Sequence, residues 1–251
     1  MTSRDRCHIH GAAGSVAALL VITIWGIKLY RVRASIEVYG RRWAKPNGGS
    51  GGLLYVALGD SAAQGIGASR PDLGYVGLIA DRLRDATGGP VRVVNLSRSG
   101  ARVQDVAKLQ LPRLAALQPD LVTVGVGGND VRGYSADRFE RDVTALVDRL
   151  PAGTVIADMP YFMHGAALRH ARQAAATVTR LATQRGLLVA PLHETIRRRG
   201  WQAMTTDYAA DWFHPNDRGH RVWAAAFWET IGSRALPPRH AVAGPKPAAG
   251  Q

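Results

Sequence analysis

Cysteine is almost absent from the 251 residues: Cys7 stands alone, so no internal disulfide can form. Histidine and cysteine never fall at zinc-ligand spacing, so no metal site is expected. No P-loop and no G-x-G-x-x-G fingerprint is present, which disfavours nucleotide binding. There is no stacking-aromatic motif and no recognition helix, so the chain is not expected to bind nucleic acid. Internal repeats are lacking, and so is the G-x-S-x-G turn that marks the nucleophile of α/β-hydrolases.

Acidic residues are also scarce: 19 Asp and Glu face 32 Lys and Arg, for a net charge of +13. Much of the excess is early, where residues 1–46 hold Arg4, Arg6, Lys28, Arg31, Arg33, Arg41, Arg42 and Lys45 against Asp5 and Glu37. Such a segment suits an anionic membrane surface. Within it, Gly11 to Ile27 is uncharged and largely apolar, at the short end of what spans a bilayer, and Trp25, Lys28 and Tyr30 are suited to an interface. Residues 11–30 are therefore read as a single-pass membrane anchor, with a cleaved signal segment and a buried core helix as alternatives. Val32-Arg33-Ala34 is a poor cleavage site, and a cleaved segment would leave a secreted protein. The positive-inside tendency points the main domain to the cytoplasm, an orientation that a short N-terminal segment can override.

Domain organisation follows from composition. Residues 1–46 are the anchor or signal segment with its basic flank. Residues 47–52 form a Gly-rich linker, 53–235 the folded domain, and 236–251 a disordered tail rich in Pro, Ala and Gly. In 53–235 apolar runs alternate with helical periodicity. Strands are expected at 53–59, 91–96, 121–126, 154–158 and 187–191. Helices are expected at 75–87, at 102–117 with a break at Pro112, at 136–150 behind a Ser135 cap, at 166–184 and at 217–234, with a short one near 194–199. Alternation of this kind gives an α/β domain, a three-layer αβα sandwich around a five-stranded parallel sheet.

The chemistry-bearing residues cluster where strands end. Leu53 to Gly59 is an apolar run closed by glycine, and Asp60-Ser61 follows it. Asn95 to Gly100 closes the second strand, and Gly127-Gly128-Asn129-Asp130 the third. Asp211-Trp212-Phe213-His214-Pro215 precedes the last helix. In a parallel sheet the first three sites converge on one edge, and a loop can bring the fourth there. Acyl transfer needs a nucleophile, a base, a group that orients the base, and oxyanion donors. Ser61 fits the first role. His214 fits the second, because imidazole titrates near neutrality, and Asp211, three residues earlier, can fix its tautomer. Gly100 can offer a backbone N–H and Asn129 a side-chain amide.

These four blocks, in this order, resemble the signature blocks of the SGNH (GDSL-type) hydrolases over roughly residues 53–232. The resemblance implies a flavodoxin-like fold, Ser61 as nucleophile, His214 as base and Asp211 as its partner. It also implies an oxyanion hole from the Ser61 and Gly100 N–H groups and the Asn129 side chain, and no metal or organic cofactor. The family often carries Leu after the serine; here Ala62 stands there, touching no catalytic atom. The expected activity is that of a serine esterase or lipase-like hydrolase acting on a small-molecule, lipid or glycan ester. A carbohydrate O-acetyl esterase or acyltransferase is the alternative within this chemistry, and a small acyl pocket would favour it. A non-catalytic membrane-anchored binding module is the alternative outside it. Among the other residues, His164 and His193 are expected at the surface, and His170, His220 and His240 on solvent-facing helices or the tail. Trp212 and Phe213 are expected in the core, although one of them could line an acyl pocket, and Arg98 and Arg102 on a solvated loop.

Overall fold

The computed structural model describes residues 3–45 and 52–232, with side chains from residue 21 onward. The linker at 47–51, the tail at 236–251 with His240, and the side chains of residues 11–20 lie outside the described residues. Five strands form one parallel sheet: β1 (Leu53–Gly59), β2 (Val91–Asn95), β3 (Leu121–Gly125), β4 (Val155–Ala157) and β5 (Leu188–Ala190), in the order β2-β1-β3-β4-β5. This is the flavodoxin-like order, in which the chain leaves β1 toward one side and returns on the other.

β1 lies inside the sheet, between β2 and β3, apolar on both faces and fully buried. Leu54, Val56 and Leu58 point into one core, with α5 (Ala136–Val147) and α6 (Gly165–Gln184). Leu53, Tyr55 and Ala57 point into the other, with α2 (Tyr75–Thr87) and α9 (Asp217–Gly232). Each fully buried aliphatic side chain of this strand contributes about 1.5–3 kcal/mol. The Tyr55 hydroxyl avoids an unpaired burial by hydrogen bonding to Thr123 Oγ1 at 2.7 Å. α2 stops at Gly88, whose left-handed φ of 65° lets its N–H reach the Arg84 carbonyl.

Elsewhere the structure differs from the sequence-based expectation. The segment 102–117 is not one helix broken at Pro112. It is a short turn, α3 (Val103–Asp105), then a π-helical turn at Val106–Gln110, then α4 (Leu111–Leu114) with Pro112 tolerated in its first turn. The short helix expected near 194–199 is present as α7 (Leu192–Arg197), and the connection carries a second one that was not expected, α8 (Trp201–Thr206). Ser135 precedes α5 but makes no side-chain cap bond. At the N-terminus α1 runs from Ser3 to Trp43. Among the described residues no helix is long and apolar enough to cross a membrane. The last turns of α1 join the domain: Tyr39 and Trp43 are buried, with the Tyr39 hydroxyl donating to the Ala68 carbonyl and the Trp43 indole N–H to that of Gln64.

His220 corrects the expectation of a solvent-facing residue. It is fully buried, because α9 turns Gly219, His220, Trp223, Ala224, Phe227 and Ile231 toward the sheet. Its Nδ1 accepts the Tyr75 backbone N–H at 3.3 Å, and its Nε2–H donates to the Ile66 carbonyl at 3.1 Å. Acceptance at Nδ1 requires the neutral ring, and burial pushes its pKa from 6.5 down to about 4. The unfolded chain therefore takes up the proton first. The stabilisation is present above about pH 6.5 and is lost as pH falls through about 4, by about 3 kcal/mol in all. Burial raises Asp60 and Asp130 to about 6, which works in the opposite sense: their contribution is present below about pH 4 and fades as pH rises through 6. His220→Gln isolates the histidine. Urea unfolding at pH 7 and pH 4 should show the wild type losing about 3 kcal/mol more than the variant. An equal loss in both would sink this assignment. His170 is likewise not free in solvent: it is half-buried, stacked on Tyr134 at 5.0 Å with Nδ1 3.3 Å from the Val131 carbonyl.

Candidate active site

β1 and β3 end side by side, with Gly59 opposite Gly125, and the loops that follow them open the crevice where the strand order reverses. Ser61 sits in the first loop, directly after Asp60, whose Oδ1 accepts the Ala62 N–H at 2.9 Å and tightens the turn. The base arrives on the loop between α8 and α9. That loop is pinned at its neck: Tyr208 and Pro215 pair as an antiparallel bridge, and the Asn216 side chain donates to the Thr206 and Tyr208 carbonyls, each at 2.9 Å. At its tip Asp211 Oδ1 accepts the N–H groups of Phe213 (3.1 Å) and His214 (3.0 Å), leaving Oδ2 for the His214 ring at 2.6 Å from Nδ1. His214 Nε2 then lies 2.8 Å from Ser61 Oγ. Ser61, His214 and Asp211 are thus brought into one hydrogen-bonded line across 153 residues of sequence.

Burial alone would raise the Asp211 carboxyl, but the hydrogen bond and charge of His214 outweigh it, and the group lies below its ordinary range. An ionised Asp211 holds the proton on Nδ1 and leaves Nε2 to face the serine hydroxyl. Gly67, at φ 94°, lets the loop after Ser61 pass directly behind His214; a side chain there would collide with the Pro215 carbonyl.

The oxyanion candidates lie around the same crevice. The backbone N–H groups of Ser61 and Gly100 have no acceptor among the described residues. Asn129 donates one amide hydrogen to the Ala101 carbonyl at 3.0 Å, which ties it to the Gly100 loop and leaves its second hydrogen for another acceptor. Gly100 itself is exposed, with φ 80°.

Two glutamines that the sequence reading missed hold these parts together. Gln110, buried in the π-helical turn, grips Gly59 at both its N–H (2.9 Å) and its carbonyl (2.8 Å). Gln64, also buried, donates to the Ser97 carbonyl and accepts from the N–H and hydroxyl of Ser99, fixing the loop that leads to Gly100. Asn95 adds a bond from its amide to the Ala63 carbonyl at 2.7 Å.

Phe213 and Trp212 are not core residues. Trp212 is exposed at φ 56°, and Phe213 packs edge-on against His214, their ring centres 5.0 Å apart. Beside Ser61 lies a partly open cleft with an inner space of about 30 Å³, with Val126, Pro160, Tyr161, Phe162, Phe213 and Trp223 in its wall. His164 is exposed, as expected; the Nδ1 of His193 is buried, edge-on to Tyr161 rather than at the serine. Arg98 is exposed and Arg102 half-exposed, the latter engaging Asp105 through its backbone N–H.

Residues 57–222 match the model of the GDSL-like lipase/acylhydrolase family. The chain belongs to that family. Esterase TesA of Pseudomonas aeruginosa is 36% identical over 105 residues, which is 40% of this chain and 48% of TesA, so the chain spans about half the length of that curated relative. Among solved structures, LAE5, an α/β hydrolase enzyme from the metagenome of Lake Arreo, superposes with a TM-score of 0.63 at 26% identity, covering 73% of this chain and 97% of LAE5. A variant of Axe2, an acetyl-xylooligosaccharide esterase from Geobacillus stearothermophilus, gives 0.60 at 26% identity over 75% and 98% of the two chains.

Proposed function

We propose that this GDSL-family protein is a serine esterase that removes short acyl groups, with Ser61 as nucleophile, His214 as general base and Asp211 as the group that orients it. Ser61 Oγ attacks the ester carbonyl while His214 Nε2 takes its proton. The negative charge on the former carbonyl oxygen is met by the Ser61 and Gly100 N–H groups and the Asn129 amide. The ester C–O bond then breaks, and the alcohol leaves with the proton held by His214. Water, deprotonated by the same ring, attacks the acyl-serine, and the carboxylate is released as Ser61 is re-protonated. Each oxyanion donor contributes about 2.7–4 kcal/mol to such a step. The hydrogen-bonded line from Asp211 through His214 to Ser61 supports the assignment of roles. A binding module has no need of that line.

The observation that carries the substrate class is the cavity beside Ser61. One water-sized group needs about 10–15 Å³ of such space, so about 30 Å³ holds two or three heavy atoms. An acetyl or propionyl group fills that space; an octanoyl chain would have to run out through the open side of the cleft. This favours a carbohydrate O-acetyl esterase, or an acetyltransferase to a sugar, over a lipase, and the acetyl-xylooligosaccharide activity named for Axe2 agrees with it. With p-nitrophenyl esters of graded length, the full chain should prefer acetate to octanoate by at least about 100-fold in kcat/KM, the loss expected when only two of the added methylenes lack space at about tenfold each. Phe162→Ala, which opens the cavity wall, should move the optimum toward longer chains. A wild-type optimum at octanoate would refute the short-acyl reading while leaving the serine mechanism standing.

The same chain is proposed to be membrane-tethered through residues 11–30. The uncharged apolar run there and the interfacial residues that follow it support this. Retention in the membrane pellet after alkaline washing tests it.

A further inference from the structure

A much larger space than the one at Ser61 lies elsewhere in the protein. It is an open groove of about 920 Å³ between α1 and the start of α9. Tyr208, Ala209 and Ala210, immediately before Asp211, line it. On the α1 side stand Trp25, Lys28 and Arg31; on the other, Trp212, Arg218 and Arg221. Four cations therefore look into one groove. Only Arg218 has a carboxylate, with Nε 3.3 Å from Asp207 Oδ1. Among the described residues Lys28, Arg31 and Arg221 have none. The one acid in the wall, Asp217, is already engaged: its two oxygens accept the N–H and the hydroxyl of Ser69 at 2.6 and 2.8 Å. The groove thus keeps a surplus of positive charge with donors to spare. N-terminal to Lys28 on the same helix, Val21, Ile22, Ile24 and Ile27 are half to two-thirds exposed, a run of apolar side chains largely open to the surroundings among the described residues.

We propose that this groove binds the phosphate headgroup of an anionic phospholipid, with the exposed apolar turns of α1 against the acyl region. Charge complementarity selects the headgroup: ammonium-bearing zwitterions would bring a cation among four others, whereas a phosphate with a neutral alcohol satisfies three unpaired ones. The apolar turns select a lipid over a soluble phosphate, because a free anion has nothing to offer them. The Trp25 indole N–H donates to the Ala210 carbonyl at 3.1 Å, so the groove shares its wall with the loop that presents Asp211 and His214. A lipid there would hold α1 and that loop together at the membrane surface. This deepens the membrane-tethered reading, and the two fail separately: the tether is read by alkaline extraction, the groove by lipid binding.

The test uses the full chain in neutral maltoside detergent, titrated with dihexanoylphosphatidylglycerol below its micellar concentration, with bound lipid counted by native mass spectrometry. One saturable lipid per chain is expected. The Arg31→Glu, Arg221→Glu double variant should bind about tenfold more weakly or worse, while its p-nitrophenyl acetate hydrolysis stays within about twofold of wild type. Lys28→Glu, at an exposed helix position, is the second variant should the double one fail to fold, and it should weaken binding in the same direction. Equal binding of dihexanoylphosphatidylcholine, no binding of either lipid, or wild-type affinity in the variants would overturn the proposal. Displacement of the lipid by inorganic phosphate at matched concentration would overturn it in favour of a free-anion site.

Discussion

Exchanging Ser61 for alanine is expected to lower kcat on p-nitrophenyl acetate by about 10⁴- to 10⁶-fold. The size of the effect follows from the geometry. Ser61 Oγ is the nucleophile-sized group that meets His214 Nε2, at 2.8 Å, and without it the ring has no proton to take from the enzyme. The residual rate should stay above that of water alone, because the Ser61 and Gly100 N–H groups and the Asn129 amide remain to hold the oxyanion. The variant should fold: Ser61 is buried, but its hydroxyl makes no structural bond other than that to His214, so Tm should move by no more than about 3 °C. The three side chains act as a unit. Removing His214 as well as Ser61 should therefore cost little more than removing Ser61 alone. A double variant whose losses multiply, or a Ser61→Ala enzyme that keeps a tenth of its activity, would mean that the nucleophile is elsewhere.

Much of this site is legible in the sequence because strand ends announce themselves. A buried strand of a parallel sheet is an unbroken apolar run, and the polar or glycine residues that close it must lie at one edge. Hence Ser61, Gly100 and Asn129 can be located before any coordinates are known. Asp211 and His214 are legible for a different reason: three residues apart in a turn, the carboxylate can accept backbone N–H groups with one oxygen and hold the ring with the other. What sequence does not reveal is which polar residues face inward from helices. Gln110 and Gln64 look like ordinary surface glutamines. The π-helical turn that rotates Gln110 inward has no sequence signal, since it inserts an extra residue into an otherwise regular periodicity. His220 is different, because a signal was there: Trp223, Ala224, Phe227 and Ile231 recur at helical spacing from it, so the apolar face of α9 includes the histidine. Trp212 misleads in the opposite way. Its indole is exposed because the residue takes a left-handed turn at the loop tip, a conformation that hydrophobicity does not report.

Gly59→Ala is expected to be among the most damaging single-methyl changes in the domain. Gly59 has φ 148°, and an added Cβ would run into the carbonyl oxygen of Gly125 on the neighbouring strand. That carbonyl cannot move aside, because it accepts the Asp60 N–H at 3.2 Å and belongs to the β1–β3 ladder. Nor can Gly59, since Gln110 holds its N–H and its carbonyl from the other side. Relief requires breaking one of these arrangements, and each leaves buried backbone groups unpaired at about 1–3 kcal/mol apiece. With the backbone strain of a non-glycine residue added, the destabilisation should exceed about 4 kcal/mol, or about 10 °C in Tm for a domain of this size. Gly133→Ala separates the two causes. Gly133 also has a positive φ, 70°, but an added methyl there meets nothing within 4 Å. It should cost only the conformational term, about 1 kcal/mol. If the two variants melt together, the collision with Gly125 is relieved at no cost, and the glycine before Asp60-Ser61 is required for its φ alone. If Gly59→Ala melts far lower, the glycine is there because two strands and a glutamine side chain converge on it. The position of Ser61 then rests on the packing of the sheet beneath it.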